Sequence, residues 1–237
     1  MFLVEGIRHV GEAVEAEAAI QAIYYAPELL HSPFAKNLVE TQAKAGLPCY
    51  ALAPEVFESM ADKDNPQGIL AVVRQPKQCL EDLTAQNFPW GVALVAPQDP
   101  GNLGTILRSI DAVRASGLLL LDESADPYHP SAVRASMGTI FWYPVVSASF
   151  AEFAEWARRQ AYHVYGTSAH GELDYRNVTG YASPTILLLG SEREGLTPEQ
   201  AAVCEGLIRL PMLGRATSLN LAVAASIMLY TMLDRRL

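Results

Sequence analysis

Residues 90–108 read Trp90-Gly91-Val92-Ala93-Leu94-Val95-Ala96-Pro97-Gln98-Asp99-Pro100-Gly101-Asn102-Leu103-Gly104-Thr105-Ile106-Leu107-Arg108. An uninterrupted apolar run, 92–96, passes through a polar, glycine-bearing loop into a helical period that extends over 103–115. An unbroken apolar run marks a strand buried on both faces, as in a parallel sheet, because an edge or half-exposed strand alternates instead. The same rhythm recurs downstream. Strands are expected at 118–121, 140–146, 163–166 and 186–189, with helices at 130–137 and 150–161. The class implied is α/β with an open, mostly parallel sheet. A final helix over 218–235 is apolar almost all the way round, so it must be covered on most sides, by a core or by a second subunit. It is shorter than the roughly 20 apolar residues that a membrane span needs.

Upstream, residues 1–74 form a separate small α/β unit. A helical stretch covers 5–17, a strand 20–25, a helix 34–45 that stops at Gly46, and a strand 47–52. A helix follows Pro54, and Gly68 precedes a strand at 69–73. Residues 75–89 are polar, carry Pro76 and Pro89, and are expected to be a linker to a second domain over 90–237.

Bulk properties exclude several classes. Half of the 237 residues are apolar and 18% are charged, which fits a globular chain with an ample core. Cys49, Cys79 and Cys204 are odd in number and far apart, so neither a disulfide framework nor a zinc site is expected. His9, His31, His129, His163 and His170 show no ligand spacing, and no metal is implied. With no basic-then-apolar leader, a cytoplasmic location is expected. The net charge of −9 argues against a nucleic-acid partner in bulk. Local patches at Arg8 with His9, Arg108 with Arg114, Arg134, Arg158 with Arg159, Arg193, and Arg209 with Arg215 offset that argument.

Three polar loops carry the candidate chemistry: 99–108, 189–196 and 210–220, each at the carboxyl end of an expected strand, where open α/β sheets bind ligands. Singly each has a bland reading. Asn102 suits a turn or cap, Arg108 a solvated helix, Glu192 a loop acid, and Ser218 a helix N-cap with Asn220 in the first turn. No dinucleotide fingerprint or nucleophile elbow accompanies them.

As an ordered set, Asn102-x-Gly104-x-x-x-Arg108, Gly190-x-Glu192-x-x-Gly195-Leu196 and Pro211-Met212-x-Gly214-x-x-x-Ser218-Leu219-Asn220 resemble the three motifs of the SpoU/TrmH family of the SPOUT superfamily. The resemblance covers 90–236. More weakly, residues 4–73 are similar to the small α/β RNA substrate-binding domain that precedes the catalytic domain in many ribosomal-RNA members. The resemblance implies a deep trefoil knot in the C-terminal domain, an exception to the usual rules of connection. It also implies S-adenosyl-L-methionine as cofactor, RNA as substrate and a homodimer. Transfer of a methyl group to a ribose 2′-hydroxyl, most directly of ribosomal RNA, is the implied reaction. A transfer-RNA substrate, a base-nitrogen target and a non-catalytic RNA-binding dimer are the alternatives.

Carried over by motif, Arg108, Asn102, Glu192, Ser218 and Asn220 are the catalytic candidates, with Glu192 suited to hold Arg108 or a loop amide. Thr167, Leu189, Gly190, Ile208, Leu210, Thr217, Ser218 and Leu219 are the cofactor contacts, many through the main chain. An ordinary arginine stays protonated, so Arg108 either has a lowered pKa or, still charged, stabilises a developing alkoxide. The chain departs from the family pattern at Ser191, often Asn, at Ala222, often Ser, and at Val113-Arg114-Ala115. It begins close to Glu5-Gly6, where many relatives carry a longer arm, so part of the RNA surface is expected to be missing.

Overall fold

The structure, a computed structural model, describes residues 1–62 and 65–235; the upper end of the expected second domain, 236–237, and of the motif resemblance at 236, lies outside the described residues. Two sheets organise the chain. The first contains β1 (Phe2–Glu5), β2 (Ile20–Tyr25), β3 (Cys49–Ala51) and β4 (Ile69–Val73) in the order β1-β4-β2-β3. Only the β2–β3 pairing is parallel. Its helices are α1 (Ile7–Glu15), α2 (Pro33–Lys44) and α3 (Pro54–Met60). Ser32 caps α2 by accepting from the Ala35 N–H, and Pro33 and Pro54 sit in first turns, where no N–H is needed.

The second sheet holds β5 (Trp90–Val95), β6 (Gly117–Leu121), β7 (Val145–Ala148), β8 (His163–Thr167), β9 (Leu173–Asp174), β10 (Thr185–Leu189) and β11 (Gly206–Arg209). All its strand pairs are parallel, in the order β7-β6-β5-β10-β8-β11-β9. Its helices are α4 (Pro100–Val113), α5 (Pro130–Ser136), α6 (Phe150–Arg159), α7 (Pro198–Ala201) and α8 (Leu221–Asp234). The unbroken apolar runs become the buried central strands: every residue of β5, β6 and β10 is buried. α6 covers one face, where Phe153 and Trp156 pack with Leu80, Leu83 and Phe88. α4, α5 and α8 cover the other.

Several expected elements shift. The helix read over 5–17 is a strand and a helix parted at Gly6, whose φ of 103° only glycine adopts easily. The strand read over 140–146 is a 3-10 turn, Thr139–Phe141, followed by a strand that starts only at Val145. Pro144 separates the two and contributes its carbonyl to the Leu118 N–H. The apolar content was real, but its period was not a strand's. Two short strands, β9 and β11, have no residues assigned from the sequence because neither carries a long apolar run, although a strand is expected before the 210–220 loop, where β11 lies.

The first sheet is docked on the second. Phe2 packs against Tyr128 at 4.6 Å between ring centroids and against Phe141 at 6.2 Å. The Trp142 indole N–H donates to Glu12 at 3.0 Å, and Arg134 pairs with Asp62.

Candidate active site

α4 starts where the first polar loop ends. Asp99 caps it by accepting from the Gly101 N–H at 2.8 Å, and Pro100 occupies the first turn. At Gly104 an added Cβ would lie 2.3 Å from the Ala132 carbonyl oxygen and 2.6 Å from the Ser136 nitrogen, so the glycine is what lets α5 lie against α4. With Asp99 as cap, the buried side chain of Asn102 is released for other work. Its amide donates to Glu192 Oε1 at 2.9 Å, and its oxygen accepts from the Asn220 amide at 2.9 Å. Glu192 Oε2 accepts from the Gln98 N–H at 3.1 Å. One hydrogen-bonded chain therefore joins the three motif loops, and each amide's orientation is fixed by its neighbour.

The second loop is a tight turn. Ser191 and Gly195 exchange main-chain hydrogen bonds of 3.1 and 3.0 Å, and Ser191 Oγ accepts from the Glu194 N–H at 3.2 Å. Ser191 thus closes the turn in the place where asparagine is common. Gly190 is required there: a Cβ would stand 2.1 Å from the Gly195 carbonyl carbon and 2.4 Å from the Leu196 nitrogen, both main-chain atoms.

The third loop leads into α8, whose N-cap is Asn220, not Ser218. Asn220 Oδ1 accepts from the Ala222 and Val223 N–H groups at 2.9 and 3.3 Å. The helix begins at Leu221, three residues later than expected, because the preceding segment is held open. Residues 211–219 make no hydrogen bond among the described residues, and Leu213 is 96% exposed. The segment's main-chain groups are therefore open to solvent or to a bound molecule.

Two clefts flank the 191–194 turn. One, of about 470 Å³, is lined by all eight of Thr167, Leu189, Gly190, Ile208, Leu210, Thr217, Ser218 and Leu219. The other, of about 670 Å³, is lined by Asn102, Glu192, Ser218 and Asn220 with Gln98 and Arg193. Ser218 and Leu219 belong to both walls. The first combines apolar sides with unpaired main chain and lies within the roughly 300–1,000 Å³ typical of small-molecule sites.

Arg108 is not brought together with the other four. It is exposed on α4 and lines neither cleft. Glu192 does not hold it; the carboxylate is taken by the Asn102 amide and the Gln98 N–H, the loop-amide half of that expectation.

Comparison with known proteins adds to this geometry. The model of the SpoU rRNA Methylase family matches residues 89–230. The chain belongs to the SpoU rRNA methylase family. The MRM3-like substrate binding domain model matches residues 1–71. A 23S rRNA (uridine(2479)-2′-O)-methyltransferase of Streptomyces viridochromogenes is 34% identical, over 100% of this chain and 83% of that protein. The 23S rRNA (guanosine(2553)-2′-O)-methyltransferase RlmP of Bacillus subtilis is 29% identical, over 97% of this chain and 87% of that protein. Among solved structures, an AdoMet-bound rRNA methyltransferase from Sinorhizobium meliloti superposes with a TM-score of 0.89 at 35% identity, covering 100% of this chain and 87% of that one.

In this SpoU methylase, sequence reasoning passed over Gln98 and Ser109. Gln98 contributes its main-chain N–H, which residue type does not announce, while its side-chain amide donates to the Ala96 and Glu123 carbonyls at 2.9 and 3.2 Å. Ser109 meets Ser226 at 2.7 Å and ties α4 to α8. Among the described residues no cluster of three or more His, Cys, Asp or Glu suits a metal, and no helix is long and apolar enough to cross a membrane.

Proposed function

We propose that this chain transfers the methyl group of S-adenosyl-L-methionine to a ribose 2′-hydroxyl of ribosomal RNA. The observation that carries the reading is the pair of clefts sharing the Ser218–Leu219 wall, one holding every candidate cofactor contact and the other the polar Asn102–Glu192–Asn220 chain. The rRNA 2′-O-methyltransferase names of its relatives, and the AdoMet-bound neighbour, support it. The residues present fit the cofactor. Leu189, Ile208, Leu210 and Leu219 offer apolar walls to an adenine, and the unpaired main chain of 211–219 offers donors and acceptors to its edge and to ribose hydroxyls.

The chemistry the cofactor supplies when bound is an electrophilic methyl group on a sulfonium. The protein's contribution is placement. Asn102, held from both sides, and Asn220, fixed by its cap, orient the acceptor ribose across the shared wall. The Arg108 guanidinium stabilises the alkoxide that develops as the 2′-hydroxyl proton leaves to water or phosphate.

The same proposal includes a homodimer. Val223, Ile227 and Tyr230 form an i, i+4, i+7 stripe on α8, exposed at 46%, 37% and 52%, beside the Ser109–Ser226 contact with α4. Arg108 lies on the adjoining exposed face of α4, so a second copy seated on this stripe would bring it from solvent into a site. Ile227→Asp is expected to convert a dimer into a monomer in analytical ultracentrifugation; a variant that sediments like wild type refutes this surface as the contact. The proposal also includes the division 1–74, 75–89 and 90–237, and a trefoil knot. The knot is supported by β11 lying beyond β8 while α8, which follows it, returns to pack on α4.

The test is incubation with a 23S rRNA transcript and isotopically labelled cofactor, then nuclease digestion and mass spectrometry. A labelled 2′-O-methylnucleoside is expected; label on a base, or none, overturns the reading.

A further inference from the structure

A third cleft, of about 640 Å³, runs along the β9–β11 edge of the large sheet and meets the cofactor cleft at His170, Met212 and Thr217. Its charged groups are not balanced. Arg176 grips Asp174 with two bonds, Nε to Oδ1 at 2.9 Å and Nη2 to Oδ2 at 2.8 Å, so this pair is neutral. Asp174 is held down at about 2, first by Arg176, with Arg209 adding a smaller pull, and so it remains a carboxylate committed to its partner. Glu172, the next acid along, accepts from the Leu207 N–H at 3.0 Å. Arg209 is left exposed, its guanidinium in no ion pair or hydrogen bond among the described residues. The His170 ring is likewise without a hydrogen bond there.

The distribution of cations over the molecule is informative because the chain carries a net charge of −9. Arg8, Arg134, Arg158 and Arg176 each pair with an acid. Arg74, Arg108, Arg114, Arg159, Arg193, Arg209, Arg215 and Arg235 form no ion pair among the described residues, and three of these, Arg193, Arg209 and Arg215, lie in or beside the second and third motif loops. Arg193 is flanked by Glu192 and Glu194, whereas among the described residues Arg209 is the one cation lining the edge cleft without an acid of its own, and it sets a local positive charge there on an otherwise repulsive body. The floor of the cleft is Pro211 and Met212, within the segment whose main-chain groups lack partners.

We infer that this edge cleft is a track for the RNA backbone next to the nucleotide being methylated, with Arg209 contacting a phosphate and His170 beside it. The inference rests on the proposed activity toward RNA. The polyanion fits better than the carboxylate of the cofactor: the cofactor cleft is already of small-molecule size, and the edge cleft opens outward along a two-residue terminal strand. Phosphate contacts position a strand without reading its sequence.

The experiment is equilibrium binding of the full chain to a 23S rRNA transcript over a range of salt concentrations, with cofactor affinity measured separately by calorimetry. Arg209→Gln is expected to weaken RNA binding about tenfold at low salt and to flatten the plot of log K against log salt by about 0.7, the change for one lost phosphate contact on a single strand. Arg209→Lys should keep the slope, which separates charge from folding. Arg159→Gln, on α6 and lining none of the three clefts, should also keep it. An unchanged slope in Arg209→Gln overturns the track, as does an equal loss in Arg159→Gln. Loss of cofactor affinity with the slope intact would assign Arg209 to the cofactor's carboxylate and overturn it too. The slope is read from binding alone, so a wild-type chain that methylates nothing refutes the proposed activity without being mistaken for failure of the track.

Discussion

Gly190→Ala should lose most of its affinity for S-adenosyl-L-methionine while the protein stays folded. The added methyl would overlap the Gly195 carbonyl carbon at 2.1 Å and the Leu196 nitrogen at 2.4 Å, atoms that cannot rotate away as a side-chain tip would. Relief requires opening the 191–195 turn, and with it the wall between the two clefts. Overpacking of this kind costs about 1–3 kcal/mol. With that cost falling on the bound state, the Kd rises about five- to 150-fold by isothermal titration. Gly180→Ala is the matched control, because a Cβ there meets nothing within 4 Å and the residue lines none of the clefts. Equal affinity in wild type and Gly190→Ala would show that the turn does not shape the cofactor site.

Arg108→Ala should abolish turnover and leave the cofactor Kd unchanged. The side chain lines neither cleft and makes no bond that holds the fold, so its removal costs the monomer little. Removing a cation that stabilises a developing alkoxide typically lowers kcat by about 100- to 1,000-fold. Single-turnover methylation of a 23S rRNA transcript at saturating RNA measures this directly. A variant that methylates at the wild-type rate would return Arg108 to the role of a solvated helix residue.

The contrast between these two positions shows what a single sequence carries. The parallel sheet was legible because β5, β6 and β10 are buried from end to end, and burial on both faces writes itself as an unbroken apolar run. β9 and β11 were not, since short strands near a sheet edge need few apolar residues. The motif loops stood out by residue type, and all eight expected cofactor contacts line one cleft. What each polar side chain touches was less accessible. Ser218 was read as the cap of the last helix, but that task belongs to Asn220, because Asn220 Oδ1 reaches the helix N–H groups while its amide is still able to bond Asn102. Glu192 takes the loop-amide option of its two expected partners, accepting from the Gln98 N–H and the Asn102 side-chain amide, but which main-chain N–H it meets is not written in residue types. Arg108 alone among the five lines neither cleft, and the spacing of residues in one chain does not say what would cover it.

Asn220 has a position with a mechanical meaning. It is at once the first anchor of α8 and a link in the polar chain that lines the acceptor cleft, while the outer side of that same helix carries Val223, Ile227 and Tyr230. A rigid rod therefore runs from the proposed subunit contact to the proposed acceptor site, and any rolling of α8 at its exposed face would move the Asn220 amide against Asn102. Specific activity should then depend on enzyme concentration, falling on dilution below the dissociation constant of the pair even when RNA and cofactor are saturating, so that the assembly acts as its own rheostat.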